Sequence, residues 1–125
     1  MNKSILLLSV LAIPLLLVQI ANAQQNSPKA TPLDSKTLTI KNPKWIDEGI
    51  GYSITGTVIN KSPREQDLVS VFAILYDANN NIINIKNGMS DVMNLKPGGD
   101  SAFKVIFSPK PELPDHYTLI PGQNQ

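Results

Sequence analysis

The chain has 125 residues, with 11 lysines and arginines, 10 aspartates and glutamates, one histidine and no cysteine. No block of like charge occurs, which argues against nucleic acid and against an anionic membrane surface as binding partners. The lack of cysteine excludes disulfides, thiolate metal sites and a lipid-modified N-terminal cysteine.

The first 23 residues contain the three parts of an export signal. Lys3 supplies a short basic start, residues 5–20 are almost entirely aliphatic, and residues 21–23 (Ala-Asn-Ala) form a small-x-small cleavage site. The sequence therefore predicts a Sec-type signal peptide that is cleaved after Ala23, and an extracytoplasmic mature chain with no membrane association. An uncleaved membrane anchor is the alternative, because the apolar run approaches the roughly 17 residues that can span a bilayer.

Cleavage leaves roughly 100 residues, which is the length of one domain. Residues 24–36 are polar and contain Pro28 and Pro32, which predicts a flexible lead. We expect the folded domain to cover residues 37–120, followed by a short polar tail over 121–125.

Between residues 37 and 120, short apolar or alternating runs are separated by clusters of Gly, Pro, Asn and Asp. This pattern predicts strands rather than helices. Residues 68–76 are apolar on both faces, which places their strand at the centre of a sheet. Asn87-Gly88 is typical of a type I′ hairpin turn and Pro97-Gly98 of a type II turn. The predicted strands are 38–41 (continued by 45–46 after a break), 51–60, 68–76, 82–86, 89–95, 102–107 and 116–120.

About seven short strands, with turn signals every roughly 8–12 residues, are typical of a β-sandwich. The predicted fold class is therefore all-β, an Ig-like or fibronectin-like antiparallel sandwich preceded by a signal peptide. A closed barrel is the alternative architecture.

Four segments and two phenylalanines carry a family resemblance. They are 55–62 (TGTVINKS), 69–77 (VSVFAILYD), 80–83 (NNII) and 95–98 (LKPG), with Phe103 and Phe107. In this order they resemble the FxLYD family, small exported β-sandwich domains of prokaryotic envelopes, over residues 38–119. Leu75-Tyr76-Asp77 matches the end of the motif that names the family, while Ala73 stands at its phenylalanine position. The resemblance implies an extracytoplasmic Ig-like fold and no catalytic residues.

We interpret the residues of this resemblance as structural. Leu75 and Tyr76 are expected to fill the core from opposite faces of their strand. Asp77 and Asn60 are expected to accept hydrogen bonds from turn amides, as in Asx turns. The remaining structural positions are Pro97, Gly98 and Phe103.

Two groups of residues are candidates for binding a small ligand. Met89, Met93 and His116 could hold copper, because thioethers suit Cu(I) and imidazole suits both oxidation states. Trp45 and Tyr52, together with Tyr117, could form an aromatic platform for a glycan. For both groups we favour the structural interpretation, with methionines and aromatic rings that fill the core and an exposed histidine. The expected protein thus carries no metal or cofactor.

No set of residues suits catalysis. His116 is the single histidine available as a base, and no serine has the context of a nucleophile elbow. We therefore expect a non-enzymatic exported module that binds or supports a protein partner through a sheet edge or loops. The alternative is an exported protein that binds a small ligand, either a glycan or copper.

Overall fold

The computed structural model describes residues 27–123. The predicted signal peptide, residues 1–23, lies outside this range. Within it, no helix is long and apolar enough to cross a bilayer. The strands are β1 (Lys29–Pro32), β2 (Leu38–Asp47), β3 (Tyr52–Asn60), β4 (Val69–Tyr76), β5 (Ile82–Met89), β6 (Asp100–Phe107) and β7 (His116–Gln123).

The strands form two layers. Sheet A has the order β1-β7-β4-β5, and sheet B has the order β2-β3-β6. In the Ig scheme, sheet B corresponds to strands A, B and E, and β4, β5 and β7 correspond to C, C′ and F. β1 takes the place of strand G beside β7, but runs parallel to it, with Lys29 opposite His116 and Pro32 opposite Leu119. The all-β sandwich prediction is confirmed, and the N-terminal segment supplies its last edge strand.

The core lies between the two sheets and follows the alternation of side chains along each strand. β6 shows the pattern most simply, since Ser101, Phe103, Val105 and Phe107 are buried and the residues between them are exposed. Burying one large apolar side chain contributes roughly 1.5–3 kcal/mol. The buried apolar residues are Leu38, Ile40, Tyr52, Ile54, Val58, Val69, Val71, Ala73, Leu75, Leu95, Phe103, Val105, Phe107, Tyr117 and Leu119.

The central position predicted for residues 68–76 is confirmed. β4 pairs with β7 on one side and with β5 on the other, antiparallel in both cases. Its inward residues Val69, Val71, Ala73 and Leu75 are all fully buried. Its outward residues are also largely apolar, and they form the centre of the candidate interaction surface.

Both ends of the domain extend further than the sequence predicts. Residues 29–32 form β1 although they fall in the predicted flexible lead, and residues 121–123 belong to β7 rather than to a tail. Pairing with β7 orders the N-terminal segment, and the Leu33 N–H donates to the Leu119 carbonyl at 2.9 Å. This order depends on a partner strand that is distant in sequence, which local composition cannot reveal.

The predicted hairpin at Asn87-Gly88 is wrong, because β5 continues through both residues to Met89. Gly88 instead lets β5 approach β6, since a Cβ at this position would overlap the carbonyl oxygen of Lys104. Just beyond β5, Ser90 pairs with Phe103, so the chain crosses from sheet A towards sheet B. This crossing replaces the predicted strand over 89–95.

Candidate interaction surface

The outer face of sheet A carries a continuous set of apolar side chains. Residues that lie opposite each other in a sheet point to the same side, so the register defines the neighbours on this face. The pairs are Phe72–Ile120, Ile74–Ile85 and Tyr76–Ile82. The three isoleucines on the flanking strands are between 36% and 57% exposed, and the three β4 residues are half-buried. We call these six side chains the apolar face.

The strand positions around the apolar face are almost free of charge. On the same side of sheet A the register places Thr31, Thr118, Asn87 and Gly122, all uncharged. Among the described positions of this outer side, Lys29 on the edge strand β1 is the one residue with a permanent charge. A surface of this kind favours burial against another apolar surface, because little charge has to be desolvated.

The outer face of sheet B is different in character. Its positions are occupied mainly by lysines, threonines and serine, with isoleucines near its ends. Such alternation of apolar inward and polar outward residues is expected of an antiparallel sheet with one face in water. The outer face of sheet B is thus mainly polar, as expected of a face in contact with water. The outer face of sheet A differs, because apolar side chains occupy its centre.

An aromatic stack borders the apolar face at one end. The rings of Tyr76 and His116 lie nearly parallel, with centroids 4.9 Å apart and an interplanar angle of 12°. Asp115 fixes the imidazole, with its Oδ2 2.8 Å from His116 Nδ1. The expectation that Tyr76 fills the core is therefore wrong, because its ring extends the outer face, whereas Leu75 is fully buried.

Asp77 fixes the turn from β4 to β5. Its Oδ1 accepts the N–H groups of Asn79 and Asn81, both at 2.9 Å, which makes an Asx turn. The hydrogen bond from the Asn81 backbone is the main cause that lowers the pKa of Asp77. The turn brings Ile82 and Ile85 alongside β4, so Asp77 supports the apolar face indirectly.

Asn60 is a buried structural residue. Its Nδ2 donates to the carbonyls of Arg64 (2.7 Å) and Leu95 (2.8 Å), and its Oδ1 accepts the Ser62 N–H at 2.9 Å. The side chain is 0% exposed. Asn60 joins the end of β3 to the loop that follows it and to the distant segment at Leu95.

Pro97, Gly98 and Phe103 also have structural positions. Gly98 has φ +76°, as the third residue of a type II turn requires, and the Gly99 N–H closes the turn on the Lys96 carbonyl at 2.8 Å. The ring of Phe103 covers Gly56, where a Cβ would lie 2.7 Å from the ring. These residues support the β3–β6 side of the sandwich and lie away from the apolar face.

The copper candidates do not converge. Met89 pairs with Ser70 at one end of β4, whereas His116 pairs with Tyr76 at the other end. Six residues of extended chain separate these ends by about 20 Å, so His116 cannot share an ion with Met89. Met93 lies near the Met89 end, since its carbonyl accepts the Val69 N–H at 2.9 Å.

The glycan candidates form part of the core margin. The Trp45 ring lies against Tyr52 (centroids 4.7 Å apart) and Tyr117 (5.5 Å). Tyr52 is 6% exposed, and Lys110 Nζ lies 4.9 Å from its ring centroid. Burial raises the pKa of Tyr117 to about 12. Trp45 and Tyr52 therefore pack against neighbouring rings at tilted angles (39° between Trp45 and Tyr52) and present no open platform.

Among residues 27–123, no group of three or more His, Cys, Asp or Glu side chains lies close enough to hold a metal ion. The residues that sequence reasoning missed are those of the apolar face, except for Tyr76. The sequence feature that could have revealed the apolar face is the β4 segment, which is apolar on both sides. In a two-layer sandwich even a central strand exposes one side, so the outward apolar residues of β4 had to lie on the surface.

No protein-family model matches this sequence, and no curated protein matches it. A solved structure with partial similarity is the crystal structure of a DUF1425 family member from Shewanella sp. pv-4. It is 16% identical, the similarity covers 74% of this chain and 87% of that chain, and the TM-score is 0.47. These values carry no argument about function. The FxLYD resemblance is not confirmed and stays a prediction from the sequence, while the strands themselves show a small β-rich domain.

Proposed function

We propose that this chain is a non-enzymatic, exported β-sandwich module of FxLYD type that binds a protein partner through the apolar face. The observation that carries the proposal is the contrast between the two outer sheet faces, one polar and one apolar, within one small domain. The leader-like residues 1–23 support export. Contiguous exposed apolar patches on soluble domains commonly mark interaction sites.

Three of the four sheet edges, those of β5, β2 and β6, are less suited to a partner than this face. On β5 the Ile85 N–H donates to the Asn84 side chain at 2.8 Å, so an added strand would have to displace that bond. On β2 the register shifts between Lys41 and Lys44, where Pro43 lacks an N–H. The β6 edge is partly covered, because the Asp91 N–H donates to the Ala102 carbonyl at 2.8 Å. Such features discourage edge pairing.

The size of the face indicates the class of complex. Three strands of 8 residues and one of 4 residues, about 4.8 Å apart, span roughly 450 Å². A partner that covers this face buries about 900 Å² in total, which is the range of transient complexes and well below that of permanent homodimers. We therefore propose a different protein, with a flat and apolar surface of its own, as the partner.

Site-specific photocrosslinking in the source cells tests the proposal. A photoreactive phenylalanine analogue at Ile85 should give a discrete crosslinked species, and this species should disappear when Ile120→Lys is added. The same analogue at Thr57, on the outer face of sheet B, is the matched control and should not give it. Equal crosslinking from both positions, or none from Ile85, would refute the proposal. A crosslinked product that contains two copies of this chain would replace the proposed partner by a homodimer.

A further inference from the structure

Sheet B carries a groove that the proposed function does not use. It is an open depression of about 430 Å³, comparable in volume with the roughly 300–1,000 Å³ of small-molecule sites. We call it the lysine groove. Its lining includes Asn42, Lys44, Thr55, Thr57, Asp91, Ala102 and Lys104.

A β-bulge in β2 produces the groove. The register shifts between Lys41 and Lys44, so that Asn42 and Pro43 together face Gly56. Asn42 has φ +55°, a left-handed conformation that asparagine tolerates better than most residues. A bulge bends its strand. Here it leaves a depression with short side chains at the bottom and lysines at the sides.

The register places the lysines on opposite sides of the threonines. Lys44, Thr55 and Lys104 lie in one row across the three strands, and the neighbouring row is Lys41, Thr57 and Ala102. Two strand spacings separate the backbones of Lys44 and Lys104, a distance of about 10 Å. Both lysines therefore flank a narrow strip of hydroxyl and methyl groups.

The charges are only partly neutralised within the domain. Lys104 Nζ lies 3.1 Å from Glu48 Oε1, whereas Lys44 forms no ion pair with any residue between 27 and 123. Lysines on edge strands protect a sheet against pairing, but that role requires neither a groove nor hydroxyl groups between the lysines. Asp91 adds a carboxylate to the same lining.

This combination indicates the class of ligand. Ammonium groups at both sides attract carboxylates, the threonine hydroxyls and the Asn42 amide can bond to hydroxyl groups, and Asp91 can accept a hydrogen bond from a hydroxyl donor. A ligand with negative charge alone would be repelled by Asp91. We propose that the lysine groove binds an acidic oligosaccharide, a short sugar chain that carries both carboxylates and free hydroxyls.

A nuclear magnetic resonance titration of the isotope-labelled exported chain, with tetragalacturonate as the probe at low ionic strength, tests this inference. The amide signals of Thr55, Thr57 and Ala102 should shift, and neutral tetragalactose should leave them unchanged. Lys44→Gln should weaken binding about tenfold, the loss expected for one charge-assisted hydrogen bond. Lys86→Gln, the same change of charge on β5 of sheet A, is the control and should have no effect.

Titration with tripolyphosphate, an anion that is not a sugar, distinguishes a sugar-binding site from a general attraction of anions to the lysines. Asp91→Ala should weaken binding of tetragalacturonate, because the side-chain acceptor for a hydroxyl is lost, and should strengthen binding of tripolyphosphate, because a repulsive charge is removed. Stronger binding of both probes to Asp91→Ala would overturn the inference. So would unshifted threonine signals, or equal losses in the Lys44→Gln and Lys86→Gln variants. None of these outcomes bears on the apolar face, which lies on the other sheet.

Discussion

Ile74 and Ile85 lie directly opposite each other on β4 and β5, with both side chains on the outer side of sheet A. Ile85 is 50% exposed, and Ile74 is half-buried. A cross-strand pair of this kind stabilises the sheet by a fraction of a kcal/mol up to about 1 kcal/mol. The same pair is the centre of the apolar face, so it links the architecture of the sandwich to its proposed binding role.

Asn60 provides a test of the buried polar network. Asn60→Asp keeps the shape but removes two donated hydrogen bonds and places a carboxylate against the carbonyls of Arg64 and Leu95. We expect a loss of about 3 kcal/mol in the free energy of unfolding, measured by urea denaturation. Asn87→Asp on the exposed side of β5 is the control and should stay within about 0.5 kcal/mol. Equal losses in the two variants would show that Asn60 has no special role.

Gly88 provides a test of the close approach between β5 and β6. In Gly88→Ala the added methyl would overlap the Lys104 carbonyl, so we expect destabilisation of about 2 kcal/mol. Gly122→Ala is the matched control, because nothing lies within 4 Å of a Cβ there. A Gly88→Ala variant as stable as the wild type in thermal unfolding would contradict the packing of these strands.

The raised pKa of Tyr117 leads to a prediction of how the free energy of unfolding changes at alkaline pH. Its pKa is raised from 10.0 to about 12 by burial, so the unfolded chain loses the phenolic proton before the folded chain does. The contribution of Tyr117 to stability is therefore constant below about pH 10 and falls between about pH 10 and 12, by an amount on the order of 2–3 kcal/mol. Tyr117→Phe should flatten this part of the profile of unfolding free energy against pH. An unchanged slope in the variant would assign the alkaline loss to other groups.

The lowered pKa of Asp77 leads to a prediction of how the free energy of unfolding changes at acid pH. Hydrogen bonds from Asn81, led by its backbone N–H, lower the pKa of Asp77 in the folded state. Its contribution to stability is therefore present above the ordinary aspartate pKa and is lost as the pH falls through the lowered value. Asp77→Ala should destabilise the domain at pH 7 more than at pH 3 in urea titrations. A deficit of the same size at both values of pH would mean that the carboxylate charge is irrelevant to the turn.

Local patterns predicted the parts of the fold that depend on local chemistry. The order of residues is enough to show the alternation along 51–60 and 102–107 and the turn at Pro97-Gly98. β1 was missed because its four residues, Lys29–Pro32, are held by a strand that is distant in sequence. The hairpin at Asn87-Gly88 was wrong because glycine serves equally well for a tight turn and for close contact with another backbone.

The candidate surface could be predicted only in part. The apolar character of residues 68–76 is plain in the sequence, and it correctly indicated a central strand. The three isoleucines that complete the apolar face come from β5 and β7, and their alignment with β4 depends on sheet order and register. Likewise, Met89 and His116 appeared compatible as ligands until the register placed them at opposite ends of β4.

The most direct test of the central claim compares two lysine variants in native extracts of the source cells. Ile85→Lys changes the apolar face, and Ile106→Lys changes the outer face of sheet B at a residue of similar exposure, 56% against 50%. Gel filtration should show the wild type and Ile106→Lys in a complex larger than the single chain, and Ile85→Lys as the free chain. If Ile85→Lys stays in the complex while Ile106→Lys is released, the binding surface lies on sheet B and the account is wrong.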